Sequence, residues 1–170
     1  MHIAAFQHVM RTLIGTGIKG ARVLEIGSLD VNSSEQGLSI RDLCEWAAVY
    51  IGIDERAGES VDIVSSAADY TPTATFTIAI STEAMEHTPD PRSILDCAWR
   101  SLTPGGLLVL TCAGPGRTPH GCSGGAVGDE YYKNVSAGDL RTWLRDWDDV
   151  QIIENTDMHD VYATAVKPKD

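Results

Sequence analysis

A chain of 170 residues with 24 acidic and 13 basic side chains, a net charge of −11, is long enough for one domain with a sizeable core and is a poor partner for nucleic acid. Its Lys and Arg residues are scattered, with no basic run to track phosphates, and no apolar run reaches membrane-spanning length. Cys44, Cys97, Cys112 and Cys122 show no CxxC spacing; the first three sit in apolar contexts and are expected to be reduced core residues. That cysteine usage, with no signal peptide at the start, predicts a cytoplasmic protein.

Residues 2–14 place Ile3, Phe6, Met10, Leu13 and Ile14 on one face of an amphipathic helix, ended by Gly15 and Gly17, that covers a sheet edge or face. Ala21 to Gly27 reads as a first strand buried on both faces, with Val23, Leu24 and Ile26 apolar and the Glu25 carboxylate near its end. Gly27 allows a tight turn and close backbone approach to a ligand. Ser33 with Gln36 reads as a capping box, and Ile40, Leu43, Cys44 and Ala47 recur at helical spacing behind it. Strand, glycine turn and capped helix form a nucleotide-binding βα unit whose helix N-terminus offers N–H groups to an anion. Val49 to Ile53 is a second strand, ended by Asp54, where dinucleotide-type folds carry an acid for the ribose hydroxyls.

Glu55 to Ser60 is too short for a crossover helix; Val61 to Val64 and Phe76 to Ile80 are the third and fourth strands. Asp90 as N-cap and Pro91 at the first helical position open a helix that buries Ile94, Leu95, Ala98, Trp99 and Leu102. Pro104, Gly105 and Gly106 stop it, and Leu107 to Thr111 is the fifth strand. The glycine-rich stretch from Gly114 to Gly128 is expected to be an active-site lid, extending to about residue 135. Ser136 with Asp139 opens a last helix burying Leu140, Trp143, Leu144 and Trp147; Val150 to Ile153 and Val161 to Val166 are the final strands. All four tryptophans, Trp46 included, read as helix packing residues. The βαβ pattern predicts an α/β domain with a mostly parallel sheet covered on both faces.

The segments VLEIGS, YIGIDE, DIVSSAADY, FTIAISTEAMEH, LTPGGLLVLT and YYKNVSAGDLRTWL stand in an order and spacing that resembles a small class I S-adenosylmethionine (SAM)-dependent methyltransferase over nearly the whole chain. The resemblance implies a Rossmann-like αβα sandwich with a seven-stranded sheet whose last strand runs antiparallel. It implies SAM as cofactor, S-adenosylhomocysteine (SAH) as product, and a small-molecule or glycan acceptor methylated at oxygen, with no nucleic-acid or membrane partner. Two departures stand out: Leu29 and Val31 occupy the later positions of the family's GxGxG turn, and Ser66 stands where an acid is common.

Carried over residue by residue, the resemblance assigns Gly27 to the methionine part of SAM and Glu25 to its ammonium. Ser28, Leu29 and Asp30 form the loop wall with Val31, and Asp54 takes the ribose hydroxyls bidentately. Glu55 lies near the adenine, Ser66 and Ala67 hold its edge, and Ser81 lines the amino end, with Thr82 and Glu83 also facing the cofactor at the carboxyl edge of the sheet. His120 in the glycine-rich loop and His87 after the fourth strand are the candidate bases, since an imidazole titrates near neutrality. Glu83 and His87, four apart, share a helical face on this reading; lacking a third ligand, they predict no metal site. Tyr131 and Tyr132, with Asp129 and Glu130 before them, shape the acceptor pocket. A non-catalytic module keeping the fold is the alternative; an NAD-type dehydrogenase is disfavoured by the absence of GxGxxG.

Overall fold

The computed structural model describes residues 2–31, 39–72 and 75–169. Seven strands form one sheet: β1 (Arg22–Ile26), β2 (Val49–Asp54), β3 (Ile63–Val64), β4 (Phe76–Thr82), β5 (Leu102–Ala113), β6 (Asp148–Asn155) and β7 (Asp160–Val166). Their order is β3-β2-β1-β4-β5-β7-β6. The pairs of β1 with β2 and β4, β2 with β3, and β4 with β5 are parallel; β7 runs antiparallel to both β5 and β6. This is the Rossmann-like arrangement implied above, and the apolar runs follow from it, because a central parallel strand is covered on both faces.

The helices divide between the two faces. Residues of α1 (Ile3–Thr16) and of α2 (Ile40–Leu43) pack with Val23, Ile78, Ile80 and Val109 on one face. Residues of α3 (Arg92–Ser101) and α4 (Ala137–Trp143) pack with Leu24, Ile26, Ala79, Leu108 and Leu110 on the other. The buried stripe of α1 is Ala5, Phe6, Val9 and Leu13, while Ile3 and Ile14, expected on that face, are 57% and 75% exposed. The strip the sheet covers is narrower than the apolar stripe the sequence offers.

The Ser33–Gln36 capping box lies outside the described residues. A capping box does form at Ser39, whose hydroxyl accepts the Asp42 N–H while Asp42 accepts the Ser39 N–H, and it opens α2. Ser136 and Asp139 form the expected box at the start of α4. Asp90, by contrast, does not cap α3 with its side chain; its carbonyl accepts from the Ser93 hydroxyl and N–H, and the helix begins at Arg92. Nor does the Pro-Gly-Gly segment stop α3, which has ended by Ser101. Strand β5 begins at Leu102, pairs with Phe76, and runs through the segment with a register shift between Phe76 and Ile78. Trp46 is 64% exposed and lies beyond α2, against the packing role expected of it. Trp99 and Trp147 do pack, edge to face with centroids 5.0 Å apart. All four cysteines are unpaired, and Cys44, Cys97 and Cys112 are buried. No helix among the described residues is long and apolar enough to cross a membrane.

Candidate active site

The parallel strands deliver their carboxyl ends to one edge of the sheet, where open α/β sheets bind ligands. Gly27 ends β1 with φ of +78°, and its N–H and that of Ser28 donate to the Ile53 carbonyl at 2.9 and 3.0 Å. The turn is therefore pinned to the end of β2. A Cβ on Gly27 would lie 2.6 Å from the Ala84 Cβ, so this turn needs both glycine's backbone freedom and its lack of side chain. Gly52 within β2 has a similar role that the sequence reading passed over. A Cβ there would meet the Ser60 carbonyl at 2.1 Å and the Ser28 Oγ at 2.6 Å. A glycine inside an apolar strand was the available signal of close approach.

Between these elements lies a cavity of about 380 Å³, ample for a small-molecule site. Gly27, Ser28, Leu29 and Asp30 line it from the first turn; Glu25 reaches it from β1, and Asp54 and Glu55 from the end of β2. Val31, Ala67, Thr82, Glu83, His87, Glu130 and Tyr131 complete the predicted residues found in its wall. Asp54 accepts the Leu29 N–H at 3.3 Å and the Arg56 N–H at 2.9 Å, tying the two loops together. Ser66, Ser81, His120 and Tyr132 do not line the cavity. Ser66 is engaged in a local turn, donating to Asp69 at 2.7 Å and accepting its N–H; Ser65 lines the wall in its place. Ser81 is fully buried in β4, and strand alternation sets it on the face opposite Thr82.

The cavity is acidic. Glu25, Asp30, Asp54, Glu55, Glu83 and Glu130 line it, with Arg56 as the one Lys or Arg among the described lining residues. Such a wall suits a cationic ligand. Glu25 is buried and accepts a hydrogen bond from the Tyr50 hydroxyl, over whose ring the Arg41 guanidinium sits at 4.2 Å. Burial pushes its carboxyl from 4.5 up to about 8, with the Tyr50 bond and Arg41 opposing and Asp30 and Asp54 reinforcing. A carboxyl raised on folding stabilises the fold fully below its unfolded value, and that contribution is lost as pH rises through the folded one. The thermal midpoint of the ligand-free protein should thus fall from about pH 5 to about pH 8. Glu25→Gln should flatten that fall in part, since Glu86 is also raised to about 8; melts across this range check both.

At the other end of the cavity, the 3-10 turn Met85–His87 follows β4. Burial, then the neighbouring His120, lowers His87 to about 4, so its imidazole is neutral at pH 7. Its Nδ1 is buried without a hydrogen-bond partner among the described residues. His120 stands behind the wall, its ring edge-on to His87 at 5.2 Å and to Tyr132 at 5.0 Å. The chain thus brings His87, His120 and Tyr132 together, although only the first reaches the cavity. Glu83 has φ of +51° and precedes the turn, so it does not share a helical face with His87. Its carboxylate faces His2 at 3.8 Å instead. Glu130, expected to help shape the acceptor pocket, lines the cavity, whereas Glu86 and Cys122 carry no site role in the sequence reading. No spacing pattern flags them, because they meet only when the loop after β5 folds back over the turn after β4; the Glu86 carbonyl accepts the Lys133 N–H at 2.8 Å in doing so.

With that geometry in place, the chain matches the methyltransferase-domain family over residues 35–110. It has the Rossmann-like fold of class I SAM-dependent methyltransferases. The 1,6-didemethyltoxoflavin N1-methyltransferase of Burkholderia thailandensis, solved with 1,6-didemethyltoxoflavin and SAH, is similar at TM-score 0.67 and 18% identity, over 97% of this chain and 79% of that one. The N-methyltransferase NodS of Bradyrhizobium japonicum, in complex with SAH, is similar at TM-score 0.61 and 15% identity, over 96% and 88%. The [4+2]-cyclase SpnF is similar at TM-score 0.65 and 16% identity, over 96% and 81%. No curated protein sequence matches the chain.

Proposed function

We propose that this chain binds SAM in the acidic cavity and directs its methyl group to an oxygen of a small-molecule or glycan acceptor, leaving SAH. The observation that carries the reading is the pairing of the Gly27 turn with the Asp54 carboxylate across a cavity walled by carboxylates. The residues present fit the cofactor: a carboxylate suits ribose hydroxyls, and the buried Glu25 suits an ammonium. When bound, SAM supplies an electrophilic methyl group on a sulfonium, so the protein's task is alignment and exclusion of water. Neutral His87, which lines the same cavity as Tyr131, is the group available to take the proton of an acceptor hydroxyl. SAH-bound relatives support the cofactor, the relative solved with 1,6-didemethyltoxoflavin supports a small acceptor, and unpaired cysteines support a cytoplasmic setting.

Calorimetric titration with SAH tests the reading. Because the ligand's ammonium favours ionised Glu25, binding near pH 7 should release up to about one proton. The observed heat should therefore depend on the buffer's ionisation enthalpy, and Glu25→Gln should abolish that dependence. An acceptor screen with labelled SAM then checks transfer, which His87→Ala should slow. Absence of SAH binding at millimolar ligand would sink the proposal and leave a binding module on this fold, a relevant outcome when the fold also serves a cyclase.

A further inference from the structure

Glu86 is fully buried, and neither of its carboxylate oxygens has a hydrogen-bond partner of normal geometry among the described residues; the backbone N–H groups of Glu86 and Ala113 are the donors turned toward it. A buried carboxyl left so is costly unless it stays protonated or a cation compensates it. The side chains around it are ones that ligate metals. One carboxylate oxygen of Glu86, one ring nitrogen of His87 and one of His120 all lie within 4.8 Å of one another. We propose that Glu86, His87 and His120 form a binding site for a zinc-class divalent cation at the acceptor end of the cavity.

Two other groupings have comparable spacing, His87 with Cys122 and Glu130, and His2 with Glu83 and Asp160. The acid of the first and one of the two acids of the second, Asp160, are already committed. Glu130 is exposed and accepts the Cys122 N–H at 2.6 Å; Asp160 takes Arg117 at 2.9 Å, the Tyr162 hydroxyl at 3.0 Å and His2 at 2.6 Å. The Glu86 oxygens make no hydrogen bond of normal geometry and no ion pair among the described residues, and the buried Nδ1 of His87 has no partner there. Two imidazoles and one carboxylate suit zinc, whose ligands stand about 2.0–2.2 Å from the ion, so donors now within 4.8 Å of one another must draw in to roughly 3.4 Å apart in a tetrahedral site. His120 is carried on the glycine-rich loop, where its Nδ1 stands 3.1 Å from the Thr118 carbonyl. Its ring meets those of His87 and Tyr132 edge-on, which sets it against the turn.

Three protein ligands leave a tetrahedral cation one open position, and His87 lines the cavity. An acceptor hydroxyl coordinated there through an oxygen lone pair gives up its proton to solvent more readily. The cation then does what the free His87 imidazole does in metal-free protein. That role rests on the methyl-transfer reading; the site itself does not.

The test is titration of the chelator-treated 170-residue chain with zinc chloride, by calorimetry and by competition with a chromophoric chelator. One zinc per chain with sub-micromolar affinity is expected. Glu86→Gln and His120→Ala should each weaken it at least about tenfold, the scale on which even a supporting residue matters, while Cys122→Ser should leave it unchanged. Should Glu86→Gln fail to fold, His120→Ala, in the loop, carries the test, with circular dichroism as the folding control. Absence of stoichiometric zinc binding would overturn the site, as would loss of binding in Cys122→Ser with retention in His120→Ala. SAH titration of the same preparations reports separately on the cofactor reading, so zinc bound without SAH, or SAH bound without zinc, shows which of the two has failed.

Discussion

Asp54→Ala is expected to weaken SAH binding by about 1–3 kcal/mol, the range for removing hydrogen bonds to a charged group. Asp54 is placed for two tasks at once. Its carboxylate lines the cavity at the end of β2, and it accepts the N–H groups of Leu29 and Arg56. Alanine removes the acceptor for the ribose hydroxyls and also loosens the first turn from the second, so the loss should fall toward the upper end. Asn, which keeps one acceptor oxygen, should recover part of it. The check is calorimetry on all three proteins, with melting temperature as a folding control. Unchanged affinity in Asp54→Ala would remove the residue from the site.

Gly27→Ala should destabilise the fold by about 2–4 kcal/mol, the cost of overpacking combined with an L side chain at positive φ. The new Cβ would stand 2.6 Å from that of Ala84, a short side chain with no torsion by which to yield. Relief requires the turn after β1 or the one after β4 to move, and both line the cavity. At about 2–4 °C per kcal/mol for a chain of this size, the melting temperature should fall by roughly 4–16 °C. SAH binding should weaken with it, because the displaced turn carries Ser28 and Leu29. A melt within a degree of the parent would show that the turn relaxes freely.

The Rossmann-like architecture was legible in the chain because its signals are local. Apolar runs such as Val23 to Ile26 demand a sheet covered on both faces, glycine marks the tight turn, and Ser136 with Asp139 marks a helix start. Where local signals misled, long-range packing had the casting role. Asp90 and Pro91 look like a cap and a first helical residue, yet the carbonyl of Asp90 engages Ser93 instead. The Pro-Gly-Gly segment looks like a helix stop, yet it lies inside β5, because Leu102 pairs with Phe76 first.

The cofactor-facing half of the cavity was similarly readable. Glu25, Gly27 and Asp54 lie at strand ends, and strand ends in a parallel sheet share one edge whatever the loops do. The opposite half was not. Glu86 and His87 follow β4, while His120, Cys122 and Glu130 come from the loop after β5, and no spacing in the chain relates them. By itself, the sequence determined the strands, the turn glycines and the carboxylates at their ends, since each depends on neighbours a few residues away. Only the tertiary structure decided that a buried Glu86 meets two histidines, because that meeting depends on how a long loop folds across the sheet edge.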